Sequence, residues 1–151
     1  SSAASDVYKR QAEDRTSSYD EHIKFVSLEV NAGSVEKAEA KLKIEINDKV
    51  ENTNINGNGP VDATFNAIKK LTNTEFKLKL YQVNAITAGT DAQGEVTVRL
   101  EDDNLSSQAK GSDPDIIVAS AKAYINALNR LIFKKTKSIK ENPASLKIEG
   151  V

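Results

Sequence analysis

The chain has 151 residues, with 21 Lys and Arg against 22 Asp and Glu, for a formal net charge of −1. That length suits one domain, and the charge balance excludes a strong basic field for nucleic acid or anionic lipid. There is no Cys and a single His, His22, which excludes disulfides, a thiolate nucleophile, Cys-based metal sites and paired-His metal motifs.

Hydrophobic residues make up 38% and aromatics 5%, so the core has to be aliphatic. No uninterrupted apolar run reaches the roughly 18 residues of a membrane span, and no signal peptide opens the chain. The cytoplasm is the simplest compartment, with neither membrane nor nucleic acid as partner. The lack of Met, with Ser1 at the start, is what a domain cut from a longer protein would show.

Residues 1–22 are polar, rich in Ser and charge, and without sustained period. They read as a linker or tag-proximal segment, with His22 an exposed side chain at its edge. Order begins near Lys24. Val26, Leu28 and Val30 alternate with Phe25, Ser27 and Glu29, the period of a half-buried strand. Asn31-Ala32-Gly33-Ser34 is a turn. Ala38, Ala40, Leu42, Ile44 and Ile46 then alternate with charged residues in the clearest strand of the chain. Asn47-Asp48 suits a hairpin turn, and Lys49–Asn56 is the returning strand.

Pro60 opens a helix, at the position where a missing N–H costs nothing. Val61, Phe65, Ile68 and Leu71 lie on one face, and Thr72-Asn73-Thr74 ends it. Phe76, Leu78 and Leu80 alternate before the phase slips to Tyr81, Val83 and Ala85, which predicts a bulge or strong bend. Residues 89–94 form a loop. Val96, Val98 and Leu100 make a strand, Asp102-Asp103-Asn104 a turn, and 105–110 a weak third strand. After Gly111-Ser112-Asp113-Pro114 comes a long helix. Its apolar stripe is Ile117, Ala121, Tyr124, Leu128 and Leu131, and Ala119, Ala123 and Ala127 give it a small-residue face. The Lys-rich end beyond Phe133 reads as a solvated helix terminus suited to the macrodipole.

Strand-strand-strand-helix thus occurs twice, and INGNGPVDAT sits beside AKGSDPDIIV at the two helix starts. This is the pattern of an internal duplication. It predicts an α+β fold of two βββα units related by a pseudo-two-fold, helices packed on antiparallel sheets. Expected boundaries are 23–134 for the domain and 135–151 for a basic tail. Glycines at 57, 59 and 111 would let a ligand approach the backbone, and a helix start offers free N–H groups to an anion. From these residues alone, the plainer reading of each start is a turn with a capped helix. Asp62, Asp91, Asp113 and Asp115 cluster near these turns and are accounted for by capping and dipole effects. No Gly-Lys-Ser/Thr follows GNGP, so this is not a phosphate-binding loop.

Three segments, G-N-G-P-V-D-A (57–63), G-T-D-A-Q-G-E (89–95) and D-I-I-x-A-S-A-K-A-Y-x-x-A-L-N (115–129), resemble the C-terminal regulatory domain of 2-isopropylmalate synthase. It is known as the LeuA allosteric or dimerisation domain and is shared with citramalate synthase. The resemblance runs from about Lys24 to Leu131. It implies two βββα units, a homodimer, and an end-product amino acid bound near the dimer interface: leucine, or isoleucine in the citramalate relative. It also implies feedback inhibition of a catalytic barrel that condenses acetyl-CoA with 2-oxoisovalerate using a divalent metal. That barrel, its metal and acetyl-CoA are outside this sequence, so no cofactor and no turnover are expected of it.

Position by position, the resemblance implies that Asn58 and Gly59 form the turn next to the ligand and that Val61 touches the ligand side chain. Leu78, Tyr81, Ala85, Ala92 and Gly94 correspond to the wall around that side chain. Pro114, Asp115 and Ile116 correspond to the start of the second helix, on the other side of the pocket. A dimerisation module without ligand is the alternative reading.

Overall fold

The computed structural model describes residues 22–33, 37–86 and 93–141. The strands are β1 (Ile23–Asn31), β2 (Ala38–Ile46), β3 (Lys49–Gly57), β4 (Lys77–Ile86), β5 (Gln93–Asp102) and β6 (Leu105–Asp113). Helix α1 (Pro60–Thr72) follows β3 and helix α2 (Ile116–Glu141) follows β6. The strands form two antiparallel sheets, β1-β2-β3 and β4-β5-β6. The expected α+β arrangement of two βββα units is therefore the observed one.

Local chemistry sets these elements. Asn47 and Asp48 both adopt positive φ (50° and 69°), the twist a two-residue hairpin loop requires, and close the Ile46–Lys49 pair. Asp103 (φ 52°) turns the chain at the corresponding place between β5 and β6. Asn73 ends α1 in the left-handed region (φ 53°), and the Thr74 N–H donates to the Lys69 carbonyl at 3.2 Å. Alternation places Ala38, Ala40, Leu42 and Ile44 of β2, and Val96, Val98 and Leu100 of β5, in the core.

The phase slip in β4 is a bulge, with a register shift between Leu78 and Leu80. A matching shift lies between Phe25 and Ser27 in β1. This corrects the simple alternation read there. Phe25 stays half-buried with Leu28 and Val30, whereas Val26 is turned out and 45% exposed. Bulges at the same place in both first strands reflect the duplication, but the register realigns the halves. Ala38 pairs with Gly57 and Gly94 with Asp113. Gly57 is thus the counterpart of Asp113 rather than Gly111, and Gly59 the counterpart of Asp115. Strand β6 also runs on to Asp113 instead of ending near 110.

Helix α2 organises the molecule. Its small residues meet β6: a Cβ on Gly111 would lie 2.4 Å from Ala123 N and 2.6 Å from Ala119 O. Tyr124 turns the other way and stacks on Phe65 of α1, with ring centroids 4.6 Å apart. Asn129, 1% exposed, reaches the first unit. Its Oδ1 accepts from the Ile23 N–H at 3.1 Å and its Nδ2 donates to the Ile23 carbonyl at 2.8 Å. On the opposite flank Asn126, Arg130 and Lys134 donate to the carbonyls of Lys110, Gln108 and Ser106 at 2.9, 2.7 and 2.6 Å. One turn apart on the helix, they match alternate carbonyls of the strand and seal the β6 edge.

Ile116–Ile139 is, by length and composition, apolar enough to cross a membrane. This differs from the count of uninterrupted apolar residues, because Lys122 and Arg130 interrupt the run without lowering its mean hydropathy below 1.2. Its most apolar stretch is 56% buried in the fold, as in a core helix. The helix continues to Glu141, past position 134, and Lys135 is held there by Asp102 at 2.6 Å.

Replacing Asn129 with Leu should cost roughly 2–6 kcal/mol, from about 1–3 for each of the two buried backbone groups left unpaired at Ile23. Urea unfolding measures it. In the same assay Gly111→Ala should cost about 1–3 kcal/mol, because the added methyl meets helix backbone that cannot swing aside.

Candidate functional site

The two helix starts differ chemically. At α1 the N-cap is Gly59, extended (φ −166°) and with no side chain to offer the first turn. Pro60 has no N–H, and the first intrahelical bond runs from the Ala63 N–H to the Gly59 carbonyl at 2.9 Å. The N–H groups of Val61 and Asp62 therefore point out of the helix without an intrahelical acceptor. The Asp62 carboxylate reaches back to the Asn58 N–H at 2.8 Å and holds the turn.

At α2 the N-cap is Asp115, whose Oδ1 accepts from the N–H groups of Ile117 at 2.8 Å and Val118 at 3.4 Å. Asp113 in turn accepts from the Asp115 N–H at 2.9 Å and pairs with Lys122 at 3.0 Å. The Asp115 N–H, foremost, and Lys122 hold the Asp113 carboxyl below the usual carboxylate range, against an opposing effect of burial. The expectation of twin open anion sites is corrected here: α2 supplies its own carboxylate, and only α1 presents an uncapped start.

The glycines divide likewise. A Cβ on Gly57 would lie 2.4 Å from Ala63 N, so Gly57, like Gly111, serves helix-on-strand packing rather than ligand approach. Gly59 has nothing within 4 Å of a Cβ. Its extended φ suits any residue, so the fold does not demand glycine there.

Tyr81 ties the remaining positions together. It projects from β4 on the face that carries Leu78, opposite Val98. Its ring meets Phe65 of α1 edge-to-face at 5.8 Å, and its hydroxyl lies 2.7 Å from Ser120 Oγ on α2. Val61 is one turn before Phe65 on α1 and half-buried. Ile116 reaches Gly94, where a Cβ would sit 1.9 Å from its Cδ1. Gly94 is flanked in the sheet by Ala85 and Asp113. Val61, Tyr81, Gly94 and Ile116 are thereby linked through Phe65 and Ser120, which sequence reasoning did not single out as site residues. Asn58, Gly59, Pro114 and Asp115 stand at the two helix starts. Ala92 and the side chain of Ala85 lie outside the described residues, as does Asp91.

Among the described residues, β4 packs chiefly on β5 and meets the helices through Tyr81, which touches Phe65 of α1 and Ser120 of α2. Leu78 and Val83 are in consequence 44% and 46% exposed on a face that in β2 and β5 is core. A separate groove of about 600 Å³ lies between β1 and α2, where Lys122 neutralises Asp113. His22 is exposed and hydrogen-bonds Asn47 at 3.1 Å. No group of three or more His, Asp or Glu able to hold a metal occurs among the described residues.

Residues 3–132 match the model of the LeuA allosteric (dimerisation) domain. The chain belongs to that family. It is 53% identical over 115 residues to the 2-isopropylmalate synthase of Afipia carboxidovorans, covering 76% of this chain and 22% of that protein. It is 45% identical over 130 residues to the synthase of Rhodopseudomonas palustris strain TIE-1, covering 86% and 25%. With the synthase of Bradyrhizobium diazoefficiens the identity is 49% over 123 residues, covering 82% and 24%. The chain thus spans about a quarter of the length of these bacterial biosynthetic enzymes. The match is to the LeuA allosteric (dimerisation) domain, and the catalytic domain is not within these 151 residues.

The LeuA domain also has a pH signature in its core. Burial, with a smaller contribution from Glu75, pushes the Tyr124 hydroxyl up to about 12. An unfolded tyrosine ionises near 10. Between those values the folded state holds the proton longer, so stability falls as pH rises from about 10 to 12. Phenolate absorbance should show Tyr124 titrating late, and Tyr124→Phe should remove that share of the alkaline stability loss.

Proposed function

We propose that this domain senses a branched-chain amino acid, leucine, at an interface between two copies of itself and relays occupancy as feedback inhibition of the synthase. One observation carries the reading: α1, which Tyr81 of β4 meets through Phe65, starts without a side-chain cap, and Leu78 and Val83 stand exposed on the apolar face of β4 among the described residues. An amino acid needs both. Its carboxylate can sit on the Val61 and Asp62 N–H groups. Its ammonium has Asn58 and Asp115 as oxygen partners. Its branch has Val61, Leu78, Tyr81, Gly94 and Ile116 as an apolar wall, with Pro114 shaping the far side. A second copy would cover Leu78 and Val83, in keeping with the dimerisation family.

The relatives' name favours leucine over isoleucine, the effector in a citramalate-type reading. In this reading the protein works in the cytoplasm. The acetyl-CoA condensation with 2-oxoisovalerate, and its divalent metal, belong to the catalytic part of the synthase. The coupling is of ordinary allosteric size, roughly 1–3 kcal/mol, and arises because leucine prefers one of two states.

Calorimetry with leucine, isoleucine and valine tests this. Leucine should release or absorb heat at submillimolar to millimolar concentration, and at 100 times its dissociation constant should stabilise the fold by about 2.7 kcal/mol. A preference for isoleucine would move the domain to the citramalate type, and no binding of any of the three would leave a dimerisation module. Gly59→Ala should keep the ligand-free melting temperature yet weaken leucine at least about tenfold, because a methyl there intrudes on the ligand and on nothing else.

A further inference from the structure

Ser120 is fully buried on α2, and its hydroxyl donates to the Ile116 carbonyl at 2.8 Å. A serine has one hydroxyl proton. With that proton on Ile116, the contact of 2.7 Å with Tyr81 requires the Tyr81 hydroxyl to donate to Ser120 Oγ. The ring is then fixed at both ends, by its edge-to-face contact with Phe65 and by its hydroxyl on Ser120. The fold does not need this hydroxyl: a phenylalanine at 81 would keep the ring contact, and Ser120 would keep its acceptor. No buried group would be orphaned. The bond thus does something besides fill the core.

We propose that Ser120 is a positioning residue that sets the effector selectivity of the domain by locking the Tyr81 ring as a rigid wall against the ligand's branch. The inference rests on reading the site as an amino-acid pocket. A pocket rejects a one-methylene misfit only if its wall cannot move to accommodate it; a rigid one separates such ligands by roughly 10–200-fold. The Ser120 lock also joins the wall to the first turn of α2, since Ile116 both accepts the Ser120 proton and fills the space Gly94 leaves open. Ligands that push the ring differently would therefore strain α2 differently.

The test is calorimetric titration of the whole chain and of its Ser120→Ala, Ser120→Thr and Tyr81→Phe variants with leucine, isoleucine and valine. The unaltered chain should separate leucine from valine by about tenfold or more. Ser120→Ala and Tyr81→Phe should compress that separation to within about threefold, and Ser120→Thr should restore it. Tyr81→Phe should fold with a melting temperature within about 2 °C of the unaltered chain, so it reads selectivity even if Ser120→Ala fails to fold. An undiminished separation in Tyr81→Phe overturns the inference alone. No binding of any of the three by the unaltered chain overturns the reading of the site and this inference with it.

Discussion

The side-chain amide of Asn129 stands in for a β-strand. Its oxygen and nitrogen take the N–H and carbonyl of Ile23 as a neighbouring strand would. A helix of the second unit is thereby attached to the first strand of the first. Two three-stranded sheets of this size, each with one helix, bury little alone. The clamp makes them share one core. It sets α2 across both sheets, which brings Tyr124 onto Phe65 and the alanine face onto Gly111. The geometry of the site follows, because Tyr81 can reach both helices only where they are side by side.

Close backbone approach is the second constraint. With few aromatics, the core is filled by Ala, Val, Ile and Leu, and small residues let helix and strand backbones nearly touch. The ion pairs Lys24–Glu45, Lys79–Glu101, Lys110–Glu95, Lys122–Asp113 and Lys135–Asp102 are each partly exposed at both ends, so they contribute little to stability. Lys122 and Asp113 matter more for where they sit, at the foot of α2, than for their attraction.

Duplication made two similar units, and divergence at single positions gave them different work. Where one unit has Gly59, the other has Asp115. The first leaves donor groups facing out, and the second satisfies them internally. Where β1 is gathered under α2, β4 meets the helices through Tyr81, and among the described residues Leu78 and Val83 on the same face stay exposed. The chemistry of the two units differs where the pseudo-symmetry fails. The proposed amino-acid site would draw on the uncapped start of α1 and on the exposed face of β4.

Much of this was legible in the chain. Alternation located β2 and β5, Pro60 placed the start of α1, and the phase slip after Leu80 foretold the bulge in β4. The repeated strand-strand-strand-helix order disclosed the duplication, and three motifs marked the family. These are local signals, fixed by steric preference and by polarity along a few residues. Pairing register and inter-element contact are not local. The bulge at Val26, the true equivalence of Gly57 with Asp113, the filling of Gly111 by α2 and the self-capping by Asp115 depend on where distant segments come to rest. The Asn129 clamp spans the chain nearly end to end, and the Tyr81–Ser120 bond joins two units. Periodicity cannot encode such contacts, because their energy exists only once both partners are held in place.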